Sequence, residues 1–249
     1  MLAALVLAAQ TALTVFAAAS LNAAFPQIGK SFEAAHPGVT VRFDFDGSQI
    51  LEAQLAQGAQ ADVFASADQR WMDTANTQGL VGAAVPFATN RLVLVASDRS
   101  NVRAPADMAK PGTKVVLCAD VVPCGRYARK LLTAMDADPA YGTGYDSAVL
   151  HNVVSEEQNV EDVFSKVSLG EADCGIVYSS DAVGRSMAAS PSPGVHVIDL
   201  PASAQPQVLY PIAPVKKGTA PALAADFVTF VRSAAGQQIL QRYGFGPAP

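Results

Sequence analysis

Hydrophobic positions along the chain fall into two alternating periods. In residues 21–35, Leu21, Phe25, Ile28 and Phe32 recur at helical spacing, and Pro37-Gly38 ends the run. Val39, Val41, Phe43 and Phe45 then alternate with polar residues, the period of a strand with one buried face. A short apolar run at 13–16 predicts a strand ahead of this pair. Residues 50–57 predict a helix ended by Gly58, 62–65 a strand, and 71–78 a helix ended by Gly79. Residues 90–97 (NRLVLVAS) and 114–119 predict buried strands, with a helix at 125–134 between later turns. Val160, Val163, Phe164 and Val167 share one helical face, and 175–178 and 195–200 predict strands. Residues 208–215 contain Pro211 and Pro214, which predicts an edge or crossover strand. Residues 222–243 form the longest helix candidate, striped by Leu223, Phe227, Phe230, Val231, Ile239 and Leu240.

Strands that alternate with helices of this length imply βαβ units and a mostly parallel sheet. More units occur than one compact sheet needs, so the pattern predicts two lobes, with the chain crossing near Asn90 and again near Pro211. Open α/β sheets bind ligands at the carboxyl ends of their strands, and two facing lobes make a cleft there. No period of 20–50 residues and no low-complexity tract is present.

Composition narrows the classes. Of 249 residues, 50% are hydrophobic and 16% charged, with a formal net charge of −5. That excludes a disordered chain. Lys and Arg never cluster beyond two neighbours, which argues against a basic face for nucleic acid. The start, MLAALVLAA, is too short to span a membrane but matches the apolar core of a secretory signal, with Val6-Leu7-Ala8 a tolerable cleavage context. A basic n-region is missing, as a truncated start would leave it; the same run also reads as a short buried strand or a start-site artefact. The signal reading makes the protein exported; no cysteine follows the apolar start, which argues against a lipid anchor. Of three cysteines, Cys118 and Cys124 are spaced to close a small disulfide loop or to stand as two buried thiols, and export favours the disulfide. Cys174 reads as a core thiol.

Three strand-to-helix junctions share one pattern: residues 16–20 (FAAAS), 45–48 (FDGS) and 122–125 (VPCG). Each places small residues where a helix begins. Free N–H groups there carry part of the helix dipole, which makes an anion site from neutral parts. Serine is also a favoured N-cap, so each junction alone reads first as a cap, and only the three together bring the anion site level with that reading. Other chemistries have less behind them. His36, His151 and His196 are far apart and lack metal-ligand spacing. No Walker A, G-x-G-x-x-G or G-x-S-x-G pattern occurs. Asp44 and Asp46 alternate on a strand, Asp62 and Asp68 suit turns and caps, Glu156, Glu157, Glu161 and Asp162 read as an acidic helix start, and Trp71 reads as packing.

The sequence resembles the periplasmic molybdate-binding proteins of ABC importers, over nearly the whole chain. TVFAAASL (14–21), GAQADVFASADQRWMD (58–73), VPCGRYA (122–128), EADCGIVYSSDAV (171–183) and RYGF (242–245) carry the resemblance together. It implies an α/β, two-lobed periplasmic-binding-protein fold of the second class, each lobe a mixed, mostly parallel sheet flanked by helices. Lobe 1 is then 11–90 plus 213–249, lobe 2 is 91–212, and 1–10 is a signal remnant. The resemblance also implies a tetrahedral oxyanion held by the hydroxyls of Ser20, Ser48 and Tyr178 and the backbone N–H groups of Cys124 and Val160. Molybdate or tungstate is the ligand, without direct protein–metal bonds, cofactor or catalysis. The partner is an ABC permease, and the protein is expected to be a monomer. Two departures stand out: Cys124 replaces an alanine, and Asp46 replaces a small neutral residue. Strand alternation predicts that Asp46 points away from the site. The alternatives are another oxyanion such as sulfate, a small α/β enzyme with Asp46 or Glu157 as its base, and a sensor domain of the same fold, for whose output module the chain has no room.

Overall fold

Two five-stranded sheets organise the chain. The computed structural model describes residues 11–187 and 194–248; the apolar start at 1–10 lies outside them. The first lobe runs β1 (Thr11–Ala18), α1 (Phe25–Ala35), β2 (Val39–Asp46), α2 (Ser48–Ala56), β3 (Val63–Ala65), α3 (Gln69–Thr77) and β4 (Val85–Asn90). The chain then enters the second lobe as β5 (Leu92–Ser97), β6 (Val115–Cys118), α4 (Pro123–Asp136), α5 (Tyr145–His151) and β7 (Val153–Glu157). That lobe continues with α6 (Val160–Leu169), β8 (Cys174–Tyr178), α7 (Ser179–Ser186) and β9 (Val195–Asp199). The return strand is β10 (Val208–Pro214), followed by α8 (Pro221–Arg232) and α9 (Ala234–Arg242).

The sheets have the orders β2-β1-β3-β10-β4 and β7-β6-β8-β5-β9. In each, a parallel trio abuts an antiparallel pair, so the sheets are mixed in equal measure. The strands that cross between lobes, β5 and β10, take the same place in the two sheets. LVLVAS is buried at every position because β5 lies inside its sheet with helices over it. In the first lobe, Phe25 and Phe32 of α1 meet Phe227 of α8 edge-on, at 6.2 and 5.2 Å between ring centroids.

Register positions the cleft. β1 pairs with β2 from Thr11↔Val39 to Ala18↔Asp46, so the two strands end side by side. The turns that follow them, bearing Ser20 and Ser48, are therefore neighbours. In the second lobe Cys118 pairs with Glu157, which brings the starts of α4 and α6 together in the same way.

Several sequence expectations change. Of the two readings for residues 208–215, crossover strand or edge, the crossover holds and the edge does not: β10 lies inside its sheet between β3 and β4. Its register shifts between Tyr210 and Pro211, opposite Pro86, which spares the ladder the N–H groups that proline lacks. The return crossing therefore precedes Val208, and residues 208–212 belong with the first sheet rather than lobe 2. Residues 222–243 form two helices, because Ser233 leaves helical backbone and caps α9 through Gly236 N–H at 3.3 Å. The first helix starts at Phe25; Ala19–Leu21 is a separate 3-10 turn. Glu156 and Glu157 end strand β7 instead of opening a helix. Elements β4, α5, β7 and α7 have no counterpart in the sequence pattern. Cys118 and Cys124 are bonded, with Cα atoms 5.8 Å apart, and Cys174 is a buried free thiol.

Candidate functional site

The five residues picked from the sequence sit on the wall of one cavity between the lobes. Ser20 lies in the 3-10 turn after β1, buried, with its Oγ 2.8 Å from the hydroxyl of Tyr210. Ser48 is the first residue of α2, also buried, and its Oγ accepts the Ala67 N–H at 3.0 Å. The preceding Gly47 carries no side chain for a steric reason: a Cβ there would stand 2.4 Å from the carbonyl oxygen of Gln158 in the other lobe.

Across the cleft, Cys124 is the second residue of α4, behind Pro123. Proline suits that first position, because its missing N–H would have no intrahelical partner. The next residue must be Gly125, since a Cβ would fall 2.1 Å from the Ala119 carbonyl. The disulfide ties this helix start to the end of β6. Val160 opens α6 behind Asn159, whose side chain caps the helix by accepting Asp162 N–H at 3.0 Å. Tyr178 ends β8, is 1% exposed, and its hydroxyl has no hydrogen-bond partner among the described residues. Burial, and then the neighbouring Tyr210, pushes that phenol well above its ordinary range, so it stays protonated and able to donate.

The atom-free space in the cavity is about 210 Å³, part of it open to solvent. The wall holds no Lys, Arg or His. It offers three hydroxyls and the open N–H groups at the starts of α4 and α6. Apart from the Asp46 carboxylate and the Asn159 amide, the polar groups of the wall are neutral donors, two of them at the positive ends of helix dipoles.

Asp46 departs from expectation. It contributes to the cavity wall instead of facing away. As the last residue of β2 it is no longer held to the alternation of the strand. Its Oδ1 accepts Gly47 N–H at 2.7 Å and Asn159 Nδ2 at 3.4 Å, so that oxygen is turned toward the junction and the opposite lobe. The Asn159 contact is one of four that join the lobes around the cavity. Gln49 Nε2 donates to the Gln158 carbonyl at 2.7 Å, Trp71 Nε1 donates to the Val121 carbonyl at 3.0 Å, and Arg126 pairs with Asp68. Trp71, expected to serve packing, is a bridge between lobes. Burial raises the Asp68 carboxyl against the opposing pull of Trp71 N–H and Arg126.

The remaining candidates lie elsewhere. Asp62 accepts the N–H groups of Thr14 and Ala220 at 2.8 and 2.9 Å and fastens α8 to the sheet. Asp68 caps α3 through Trp71 N–H. Glu157 is off the cavity wall, paired with Lys166 at 2.7 Å. His36 stacks on Phe32, and His196 pairs with Asp98. Among the described residues no group of three or more His, Cys, Asp or Glu gathers at metal-binding distance. Sequence reading passed over three groups behind the wall: Tyr210, Asn90 and the Ala67 N–H. Tyr210 was hidden in a run marked only by its two prolines.

Comparison with known proteins decides the family. The family model for bacterial extracellular solute-binding proteins matches residues 13–246. The molybdate-binding protein ModA of Mycobacterium tuberculosis (strain H37Rv) is 44% identical over 237 residues, 94% of this chain and 84% of its own. The chain belongs to the bacterial extracellular solute-binding proteins, in the molybdate-binding protein family. The fold of this solute-binding protein agrees. The periplasmic molybdate-binding protein of Azotobacter vinelandii superposes with a TM-score of 0.80 at 21% identity, over 95% of this chain and 100% of that one. The sulfate-binding protein SubI of M. tuberculosis superposes with a TM-score of 0.82 at 19% identity, over 95% and 87%. The two-lobed architecture of the second class is thus common to carriers named for different oxyanions.

Proposed function

We propose that this solute-binding protein captures molybdate, and tungstate equally in kind, outside the cytoplasmic membrane and hands it to an ABC permease. It acts as a monomeric carrier, not as an enzyme, and uses no cofactor. The hydroxyls of Ser20, Ser48 and Tyr178 and the N–H groups of Cys124 and Val160 hold the anion. The observation that carries this reading is the unpartnered Tyr178 hydroxyl, buried on the wall of a small cavity that also gathers the Ser20 and Ser48 hydroxyls and the starts of α4 and α6. A buried hydroxyl without a partner costs about 1–3 kcal/mol, and an acceptor in the cavity removes that cost.

Molybdate and tungstate are fully deprotonated dianions near neutral pH and only accept hydrogen bonds. A wall of donors satisfies them. Hydrogen phosphate keeps a proton that needs an acceptor, and facing it with a donor costs about 1–3 kcal/mol. Asp46, the one carboxylate on the wall, has an oxygen already engaged by Gly47 and Asn159. Sulfate meets the same donors but is smaller, so size separates it from molybdate. At a net charge of −5 the protein as a whole repels anions, and the helix starts supply the attraction locally.

Lobe 1 (residues 11–90 and 208–248) and lobe 2 (91–207) close on the ligand. Closure lowers the dielectric around each hydrogen bond and strengthens it. The ligand stabilises the closed state by its greater affinity for that state, and the permease reads the closed form. Titration calorimetry with molybdate, tungstate, sulfate and phosphate tests this. One-to-one binding of molybdate and tungstate with little heat from the other two is expected. Equal binding of sulfate would move the assignment to a general oxyanion carrier, and silence toward all four would overturn it.

A further inference from the structure

The two serines of the site are each backed by a donor, but by different kinds. Behind Ser48 stands the Ala67 N–H, 3.0 Å from Oγ, and a backbone N–H cannot reverse its role. Ser48 Oγ therefore accepts from behind, and its own proton is free for the cavity. Behind Ser20 stands the hydroxyl of Tyr210, at 2.8 Å, and either oxygen of that pair is able to donate.

Asn90 decides the direction. Its Oδ1 accepts the Arg91 N–H at 2.9 Å, which fixes the orientation of the amide, since a backbone N–H needs an acceptor. Nδ2 is then left to donate, to Ser180 Oγ at 2.9 Å and to Tyr210 OH at 3.4 Å. Asn90 Nδ2 and Ser20 Oγ are the two partners of the Tyr210 hydroxyl among the described residues: Asn90 donates to it, so its proton goes to Ser20 Oγ. The Ser20 proton is in turn directed into the cavity. Tyr210 is 0% exposed and Ser20 3%, so the pair lies behind the surface that bulk solvent reaches.

We propose that Tyr210, oriented by Asn90, is a positioning residue that makes Ser20 a pure donor, and that this sets the preference for fully deprotonated oxyanions over protonated ones. The proposal rests on the oxyanion reading above. If Ser20 accepted a proton from the ligand, its own proton would be left without an acceptor among the described residues, because Tyr210 donates to it and is itself served by Asn90. A protonated anion therefore faces a proton at Ser20 as it does at Ser48. Burial, with Asp181 nearby, pushes the Tyr210 phenol well up, so the relay keeps its proton at physiological pH. Asn90 also ends β4 where the chain crosses between lobes, and its partner Ser180 lies two residues past Tyr178. The relay thus runs from the crossing point to the ligand.

The test is a double-mutant cycle on the full chain, with molybdate and inorganic phosphate titrated into wild type, Tyr210→Phe, Ser20→Ala and the double variant. Phe keeps the ring and its packing against Phe87, Tyr178 and Phe245. The expected result is about a three- to tenfold weaker molybdate affinity for Tyr210→Phe, the loss typical of one hydrogen bond between neutral groups. The ratio of molybdate to phosphate affinity should fall as well, because the freed Ser20 hydroxyl accepts a phosphate proton. In the Ser20→Ala background the Tyr210→Phe change should cost nothing further. A purely structural tyrosine would weaken all anions alike and act independently of Ser20. Wild-type binding with an unchanged ratio in Tyr210→Phe, or additive losses in the double variant, overturns the relay alone. Failure of the wild type to bind molybdate overturns the oxyanion reading and the relay with it.

Discussion

Replacing Tyr178 by Phe deletes one oxygen and little else. The ring is 1% exposed and packs edge-on against Tyr210 at 5.9 Å, contacts that Phe preserves. The lost hydroxyl is buried on the cavity wall without a hydrogen-bond partner among the described residues. Two consequences of opposite sign follow. With the anion bound, the hydroxyl donates to a charged acceptor, an interaction of about 1.5–3 kcal/mol, so the variant should bind molybdate about 10- to 150-fold more weakly. Without ligand, closing the wild-type cleft strands the hydroxyl away from water at a cost of about 1–3 kcal/mol. The variant escapes that cost, so its ligand-free ratio of closed to open molecules should rise about 5- to 150-fold. Calorimetry reads the first effect. Energy transfer between dyes on the two lobes, with and without molybdate, reads the second. Affinity within threefold of wild type would refute the assignment of Tyr178 as a donor to the ligand. Weaker binding with a more open ligand-free state would show that the residue acts through packing.

Asp46→Asn removes a negative charge from the cavity wall while keeping an acceptor for Gly47 N–H. Charges about 4 Å apart in water-like surroundings interact by about 1 kcal/mol, so molybdate affinity should rise several-fold, most at low salt; weaker binding would mean that the carboxylate serves the lobe contact with Asn159 instead. The double change Cys118→Ala/Cys124→Ala should lower stability in denaturant titration by about 2 kcal/mol, as loss of a short disulfide loop does, yet leave molybdate affinity within a few-fold because Cys124 contributes its backbone N–H. A large loss of affinity would show that the bond itself holds the start of α4 in place. Asp181 is buried, one oxygen accepting Tyr178 N–H at 2.9 Å and the other unpartnered, and burial with Glu161 nearby raises its carboxyl well above 3.8. A group raised in the folded state contributes stability that is complete below its unfolded value, near 3.8, and is lost as pH climbs through the raised one. Asp181→Asn should therefore be more stable than wild type at neutral pH and show a flatter profile from pH about 4 upward; an unchanged profile would place the titrating group elsewhere.

Much of the architecture was legible in the pattern of residues. The buried run at 90–97, the alternation at 39–45 and the stop signals Pro37-Gly38, Gly58 and Gly79 each correspond to an element or its end. The pattern failed where tertiary context overrides local preference. Pro211 argues for an edge, but a register shift lets β10 lie inside its sheet. The stripe at 222–243 continues in phase past Ser233, so periodicity alone does not reveal that the serine caps a second helix. Asp46 stands at the end of its strand, where the period-2 argument no longer controls a side chain.

The sequence by itself determined the junctions. Small residues and serines after apolar strands put N–H groups and hydroxyls at the ends of those strands, because parallel strands feeding helices leave them there. Its motifs also picked the five residues that the cavity gathers. Only the tertiary structure decided what those groups face and which way their protons point. The strand registers brought four junctions from two lobes to one point, and no local period encodes a distance between residues more than a hundred positions apart. The partners behind the wall, Ala67 N–H behind Ser48 and Tyr210 behind Ser20, come from distant segments, as does the inter-lobe contact that turns Asp46. A hydroxyl is a donor or an acceptor according to its neighbours, and those neighbours exist only once the chain has folded.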